Sequence, residues 1–349
     1  MLCQSGRDSE AALQLATLDY HYRLAPEVLN YALPSEASAA AAAATPPPNN
    51  CVWIQDNALS PRLLRFMQRA LAPTSAFWSE HDYDIDGSPR PYFSYLHALP
   101  DVIDPPRAAQ TTMMEELLAA VYKLAVSQYP EVKDANFVEW WTHCRPHSSG
   151  HQFHFDSEDE GRGGVRHPII STVLYLTPGG LGGPTLVTDQ TLKKEQLASK
   201  GWLVHPRENR LAGFDGTLLH GVVPGRGVPQ LKGSEGESTG AETETYGSAR
   251  RITFMTAFWR GPMSTVPRAD KLPGSSQPLP SAETVNERGY TWPGLFVSDP
   301  DEEGKEEARQ AGVVDGVSAP VSRVWAPVDE EEEQEAAPMP HYDKCFQGF

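Results

Sequence analysis

A series of short apolar segments separated by glycine and proline turns, in residues 137–259, constrains the fold most strongly. These segments have the length of β-strands and are rich in β-branched and aromatic side chains. The predicted strands are Phe137–Cys144, His167–Thr177, Gly182–Val187, Gly201–Pro206, Arg210–Gly216, Leu218–Pro224 and Arg250–Trp259. Several short strands with turns between them are typical of a β-sandwich or jelly roll.

Helices are predicted on the N-terminal side of these strands. One begins at Ser60-Pro61, where a capping residue precedes a first-turn proline, and runs to about Leu71. A second runs from Thr111 or Thr112 to Ser127, because its apolar side chains recur at helical spacing. Residues Ala11–Asn30 are a further candidate helix. The chain is therefore expected to be mainly β, with flanking helices that support the larger sheet.

Composition divides the chain of 349 residues into three regions. Residues 1–49 form an N-terminal segment with an Ala/Pro-rich linker, and residues 50–262 form the expected domain. A Gly-, Ser-, Thr- and Glu-rich stretch at 225–249 is predicted to be a flexible insertion in that domain. Residues 263–349 are expected to be a Pro-rich, acidic and largely irregular tail. We expect deletion of residues 1–45 and 301–349 to leave the site intact.

Charge and cysteine content bear on partners and location. The net charge is −17, and no basic stripe is present, which makes a nucleic-acid partner unfavourable. The four cysteines lack metal-ligand spacing, and the first 30 residues lack the continuous apolar core of a secretory signal. No apolar run approaches the length of a transmembrane helix, so no membrane contact is expected. Reduced thiols and a cytoplasmic or nuclear location are the resulting expectation.

A candidate metal site lies within the strand region. His154 and Asp156 have a spacing that places both side chains on one face of a strand, and His220 follows later in a His-Gly pair. Two histidines and one carboxylate can hold Fe(II) on one face and leave other positions open. His151 is an alternative ligand, and a buried structural histidine is the alternative interpretation of His220.

Other polar residues have ordinary structural interpretations. His167 and His205 each precede a proline and are expected to satisfy local hydrogen bonds. Asp215 is expected to form a turn with Gly216, and Thr185 is expected to be structural. Of the pair Trp140 and Trp141, one is expected in the core and the other beside a substrate groove, because neighbouring strand residues face opposite ways.

From Val138 to Arg260 the order of motifs resembles the Fe(II)/2-oxoglutarate-dependent oxygenases, specifically the prolyl-4-hydroxylase-like branch. The motifs are His-x-Asp, a Tyr-Leu strand, a Gly-Gly-x-Thr turn, His-Gly, and a basic residue on the last strand. The resemblance implies a double-stranded β-helix, also called a jelly-roll or cupin-like core. It implies His154, Asp156 and His220 as iron ligands, and Arg250 or Arg251 as the residue that binds the far carboxylate of 2-oxoglutarate.

Two departures from the family pattern affect the co-substrate site. Prolyl hydroxylases carry lysine where this chain has arginine, but Arg251-Ile252-Thr253 fits the Arg-x-Ser/Thr pair of other branches. Arg251 and Thr253 share one strand face, and a guanidinium binds a carboxylate with two hydrogen bonds. The gap between His220 and Arg251 is also wider than usual. The resemblance further implies Tyr175 as a donor to 2-oxoglutarate, and Arg145 is a candidate to reach the cavity.

The implied activity is that of a dioxygenase that uses Fe(II), O2 and 2-oxoglutarate, with ascorbate as a candidate reductant. It would hydroxylate a C–H bond and release succinate and CO2. The expected substrate is a protein or peptide side chain. Alternatives are the same chemistry on a small molecule or modified nucleobase, or a non-catalytic cupin-like binding protein.

Overall fold

The computed structural model describes residues 2–32, 51–81, 93–104, 111–158, 165–177, 181–194, 196–227, 250–261, 277–279, 291–298 and 319–328. The predicted linker, most of the predicted insertion at 225–249 and most of the tail lie outside these ranges. The helices are α1 (Asp8–Thr17), α2 (Pro26–Leu29), α3 (Pro61–Ala70), α4 (Ala76–His81), α5 (Leu99–Ile103) and α6 (Met113–Gln128). Short 3-10 helices span Cys3–Ser5, Pro130–Asp134 and Trp292–Phe296.

The structure contains strands at the predicted segments, in the same order, and further strands outside them. The strands are β1 (Tyr22–Leu24), β2 (Val52–Gln55), β3 (Tyr95–Ala98), β4 (Phe137–Pro146), β5 (His151–His154), β6 (Ile170–Tyr175), β7 (Thr185–Thr188), β8 (Gly201–Val204), β9 (Arg210–Asp215), β10 (His220–Val222), β11 (Arg250–Trp259), β12 (Gln277–Pro278), β13 (Ala319–Val321) and β14 (Trp325–Pro327).

Two sheets form the body of the protein. The larger has seven strands in the order β12-β3-β4-β11-β6-β9-β2, and the smaller has five in the order β13-β8-β7-β10-β5. Between β4 and β11 the chain passes repeatedly from one sheet to the other. Apolar side chains of both sheets, including Val173 and Tyr175 from the larger and Val187 and Val204 from the smaller, form one buried cluster. This arrangement is a double-stranded β-helix, so the predicted fold is confirmed.

The outer face of the larger sheet is covered by helices. Along β6, Ile170 and Leu174 pack with α3 and α6, whereas Val173 and Tyr175 face the smaller sheet. Because both faces are covered, every residue of β6 is buried. None of the helices described has the length and apolar character of a membrane span.

The helix predictions met different outcomes. Ser60 caps α3 by accepting a hydrogen bond from the Leu63 N–H, and Thr112 begins α6 with a capping box. The prediction of one helix over Ala11–Asn30 was wrong. Helix α1 ends at Thr17, and Asp19 has a left-handed φ of 64° that a helix does not tolerate. The chain then forms β1, which pairs with β14.

Described residues from outside the predicted domain at 50–262 also contribute to the core. Strand β13 extends the smaller sheet by pairing with β8. Leu24 and Val28 pack with Val324 and Trp325 beneath that sheet, and Trp292 is buried against the helices. The domain therefore includes parts of both flanking regions, and deletion of residues 1–45 and 301–349 would remove strands β1, β13 and β14. The expectation that both pieces are dispensable is therefore replaced: we expect their deletion to destabilise the fold.

Candidate active site

The three predicted metal ligands meet where the ends of two neighbouring strands lie side by side. His154 ends β5 and His220 begins β10, and the two are paired in that antiparallel ladder. Asp156 follows His154 by two residues and lies on the same side. Its Oδ1 is 3.5 Å from His154 Nε2, and its Oδ2 is 3.7 Å from His220 Nε2. One nitrogen or oxygen atom from each residue lies within 4.8 Å of the others, which is a grouping that can hold a metal ion.

Backbone carbonyls determine which ring nitrogens face Asp156. His154 Nδ1 lies 2.9 Å from the Gln152 carbonyl oxygen, and His220 Nδ1 lies 3.0 Å from that of Leu218. A carbonyl oxygen can only accept, so each Nδ1 carries a hydrogen and donates it. In the neutral ring, each Nε2 then presents a lone pair. Neutral imidazoles held in this way are typical metal ligands.

The surroundings keep Asp156 charged. Burial opposes the charge, but His220, His154 and the Ser171 hydroxyl together hold the pKa of Asp156 well below its usual range. Ser171 Oγ donates to Asp156 Oδ2 at 2.5 Å. His167 Nδ1 lies 2.8 Å from the backbone oxygen of Asp156, so this histidine makes a structural hydrogen bond, although its partner is 11 positions away and not a local one.

The pKa values of the two histidines shift in opposite directions. Burial lowers the pKa of His220 to about 4. Burial also opposes the charge on His154, but the hydrogen bond and negative charge of Asp156 outweigh it and raise its pKa. One anionic carboxylate and two imidazoles oriented by backbone carbonyls fit a divalent cation such as Fe(II).

The floor of the pocket beside this cluster is formed by paired residues of β4 and β11. Three pairs face the pocket: Trp141 with Met255, His143 with Thr253, and Arg145 with Arg251. The intervening residues Ile252 and Phe254 pack among the helices instead. Strand alternation thus places Arg251 and Thr253 on the pocket face, and Arg250 is not among the described residues that line the pocket.

Arg251 is a buried cation whose hydrogen-bonding groups are only partly satisfied. The residue is 3% exposed, and its Nη1 donates to the Gly183 carbonyl oxygen at 3.2 Å. Its Nε has no hydrogen-bond partner among the residues described. Burial, and to a lesser extent Arg145, lower the pKa of Arg251 to about 10, so it remains charged at neutral pH. A carboxylate in the pocket would satisfy the remaining donors.

Tyr175 stands next to Thr253 across the β6–β11 pair, but its hydroxyl is bonded within the protein. The hydroxyl lies 2.7 Å from Thr185 Oγ1 and 3.3 Å from the Val204 carbonyl oxygen. Thr185 lines the pocket, whereas Tyr175 does not appear among the described lining residues. In this arrangement Tyr175 supports the pocket through Thr185.

His143, His151 and Ser171 are pocket residues to which sequence reasoning gave no role or a different one. The ring centroid of His151 lies 5.0 Å from that of His143 and 5.0 Å from that of His154. Burial holds the pKa of both His143 and His151 well below the usual value. Strand alternation with Arg145 and Trp141 could have indicated His143, but nothing local to Ser171 indicated its contact with Asp156.

The remaining polar candidates lie outside the pocket. The ring of His205 packs edge-on against Tyr31, with centroids 5.6 Å apart. Asp215 Oδ1 accepts hydrogen bonds from the N–H and hydroxyl of Thr217, at 2.8 and 2.6 Å, which is the expected turn.

The two neighbouring tryptophans face opposite ways, as expected. Trp140 is fully buried and its ring stacks on that of Phe254, whereas Trp141 lines the pocket.

The solved structures that this chain resembles include 2-oxoglutarate-Fe(II) oxygenases. A prolyl-4-hydroxylase from Pseudomonas putida is 18% identical, with a TM-score of 0.33, over 60% of this chain and 85% of that one. A 2OG-Fe(II) oxygenase family oxidoreductase from Burkholderia pseudomallei is 11% identical, with a TM-score of 0.34, over 61% and 86%. EvdO2 from Micromonospora carbonacea var. aurantiaca, in complex with 2-oxoglutarate, is 10% identical, with a TM-score of 0.34, over 64% and 92%. No protein-family model and no curated protein matches the chain. At these identities and TM-scores, the functional argument rests on the geometry of the site itself.

Proposed function

We propose that the protein is an Fe(II)/2-oxoglutarate-dependent dioxygenase that hydroxylates a C–H bond and releases succinate and CO2. One observation carries this proposal. The cluster of two histidines and one carboxylate faces the same pocket as Arg251, a buried arginine with an unsatisfied N–H. A metal that keeps open positions and a co-substrate with a remote carboxylate together match this pairing.

The residues at the metal end would hold and orient the ion. His154, Asp156 and His220 supply the ligand atoms, while Ser171 fixes one oxygen of Asp156. When bound, Fe(II) supplies the redox chemistry that couples oxidative decarboxylation of 2-oxoglutarate to oxidation of the substrate by O2. Ascorbate is the proposed reductant that maintains the ferrous state.

The residues at the arginine end would hold the co-substrate. Arg251 pairs with the far carboxylate, and the Thr253 hydroxyl, on the same strand face, donates to it as well. Trp141, Val173 and Met255 provide an apolar surface between the two ends, which excludes water from the reacting groups. Among the described residues that line the pocket, Asp156 carries the only carboxylate, so no second anion there repels the dianionic co-substrate.

The proposed substrate is a side chain of a protein or peptide. The order of the sequence motifs, which resembles that of the prolyl-4-hydroxylase-like branch, supports this proposal. Small molecules and modified nucleobases are the alternatives, and trapping of substrates from cell extract followed by mass spectrometry distinguishes these classes.

Anaerobic spectroscopy tests the proposed cofactors. Fe(II) and 2-oxoglutarate added together should produce a visible metal-to-ligand charge-transfer band, and neither alone should produce it. Oxygen should then convert 2-oxoglutarate to succinate. The Asp156→Ala protein is the matched control and should give neither result. A band without succinate formation would favour the non-catalytic cupin-like alternative, and the absence of a band in the unaltered protein would refute the proposal.

A further inference from the structure

His147 joins three segments of the chain beside the arginine end of the pocket. It follows β4 directly and accepts a hydrogen bond at Nδ1 from the Gly182 N–H, at 2.9 Å. Because Nδ1 accepts, the ring hydrogen is on Nε2, which donates to the Arg226 carbonyl oxygen at 3.2 Å. The backbone oxygen of His147 also accepts from the Gly225 N–H at 3.1 Å. This one residue therefore connects the β4–β5 turn to two separate loops.

The first of these loops, residues 181–184, forms the wall against which Arg251 lies. Gly182 has a φ of +83°, and a Cβ placed there would lie 2.5 Å from Arg251 Cδ. The next residue, Gly183, accepts a hydrogen bond from Arg251 Nη1 at 3.2 Å. Because the backbone at Gly182 and Gly183 touches the guanidinium stem so closely, a shift of this loop would shift Arg251.

The second loop, residues 223–226, is fixed on its far side by the N-terminal segment. Tyr31 Oη donates to the Pro224 carbonyl oxygen at 3.2 Å and accepts from the Arg226 N–H at 2.9 Å. The loop is also tied to the first one, because the Val223 N–H donates to the Pro184 carbonyl oxygen at 3.0 Å. A Cβ on Gly225 would lie 2.8 Å from the His147 ring, so the loop backbone packs directly on that ring. His147 is thus held in place from one side and holds Gly182 on the other.

From these contacts we propose that His147 is a positioning residue for 2-oxoglutarate binding. It fixes the Gly182–Gly183 backbone, and through that backbone the Arg251 side chain, in the position that receives the far carboxylate. The inference rests on the proposed function. His147 is not among the described residues that line the pocket, so its effect passes through Gly182 and Gly183.

Two substitutions at position 147 separate the hydrogen bonds from the bulk of the ring. His147→Leu removes both the acceptor and the donor at similar volume, whereas His147→Asn places an acceptor oxygen near the position of Nδ1 and can keep the bond from the Gly182 N–H. In the full-length protein, 2-oxoglutarate affinity is measured anaerobically by titration of the charge-transfer band, and Fe(II) affinity is measured separately. His147→Leu should weaken 2-oxoglutarate binding about three- to tenfold, the range expected for loss of the hydrogen bond that holds Gly182, with Fe(II) affinity unchanged. His147→Asn should stay within about twofold of the unaltered protein.

A double-mutant cycle shows whether the effect passes through Arg251. In an Arg251→Ala background, His147→Leu should produce little further loss of 2-oxoglutarate affinity, because the side chain on which it acts is absent. Additive losses, unchanged affinity in His147→Leu, or equal losses in the Leu and Asn variants would overturn the inference.

A second route covers the case in which His147→Leu does not fold. Gly182→Ala should then weaken 2-oxoglutarate binding and retain Fe(II) binding, and normal 2-oxoglutarate affinity in that variant would overturn the inference. Failure of the proposed function is distinguishable, because the unaltered protein would then show no charge-transfer band at all.

Discussion

The two ends of the pocket are built in different ways. At the metal end, His154 and His220 are paired residues of neighbouring strands, and their Nδ1 atoms bond to carbonyls two residues away in sequence. At the arginine end, Arg251 is positioned by loops whose hydrogen bonds come from His147, Gly182 and Tyr31. Strand register and short-range contacts orient the two histidine rings at the first end. At the second end, strand register turns Arg251 towards the pocket, and long-range loop contacts then hold its side chain. Substitutions at the two ends should therefore separate metal affinity from co-substrate affinity.

The largest effect is expected at the metal end. Asp156→Ala, and likewise His154→Ala or His220→Ala, should reduce iron-dependent conversion of 2-oxoglutarate to background while the protein stays folded. Circular dichroism and succinate assays check this. His205→Ala is the matched control, because His205 lies outside the pocket and packs against Tyr31. Iron affinity lost in His205→Ala and retained in His220→Ala would show that the ligand assignment is wrong.

The next largest effect is expected at the arginine end. Arg251→Ala should weaken 2-oxoglutarate binding by about 2–5 kcal/mol, roughly 30-fold to several thousandfold, because a buried partner of a carboxylate is removed. Fe(II) affinity should change little. Arg250→Ala should have a much smaller effect on the same titration. Equal losses, or a larger loss in Arg250→Ala, would contradict the strand register in which Arg251 faces the pocket.

An intermediate effect is expected from Ser171, which donates to Asp156 Oδ2. Ser171→Ala should weaken Fe(II) binding about 10- to 100-fold, the usual range for residues that orient a metal ligand. The affinity for 2-oxoglutarate, measured at saturating Fe(II), should change much less. Thr172→Val is a suitable control, because the Thr172 hydroxyl bonds to Thr256 and not to Asp156. Similar iron affinities for Ser171→Ala and the unaltered protein would show that Ser171 does not orient Asp156 for metal binding.

The smallest effect is expected from Tyr31, whose hydroxyl bonds to the 223–226 loop beside the arginine end. Tyr31→Phe should weaken 2-oxoglutarate binding about twofold, since only one hydroxyl is lost and the loop keeps its other contacts. Iron affinity should stay constant. A change in iron affinity with no change in 2-oxoglutarate affinity would contradict the assignment of Tyr31 to the arginine end of the pocket.

The same difference explains which parts of the molecule the sequence could predict. Ser60 and Thr112 are local start signals, and α3 and α6 begin directly after them. The alternation of Arg251 and Thr253 with Ile252 and Phe254 is also a local pattern, and it assigns the faces of β11. These features depend on neighbours along the chain, so the residues themselves reveal them.

Features that depend on distant partners were not predictable in this way. Tyr22–Leu24 forms a strand because residues 325–327 pair with it, and nothing within Ala11–Asn30 shows this. The Tyr175 hydroxyl bonds to Thr185 and Val204, residues that come beside it only when the two sheets face each other. Ser171 likewise meets Asp156 only in the folded protein.

The pairing of β1 with β14 bears on the order in which the protein becomes structured during synthesis. The two strands are separated by almost the whole described chain, so the pair cannot form until residue 327 has left the ribosome. Contacts between such distant residues are slow to form, since closing a long loop costs entropy before any contact compensates for it. Strand β13, which completes the edge of the smaller sheet, is subject to the same delay. A nascent chain would therefore expose the edge of β8 and the apolar residues beneath that sheet, a state in which transient association with other chains is most favourable.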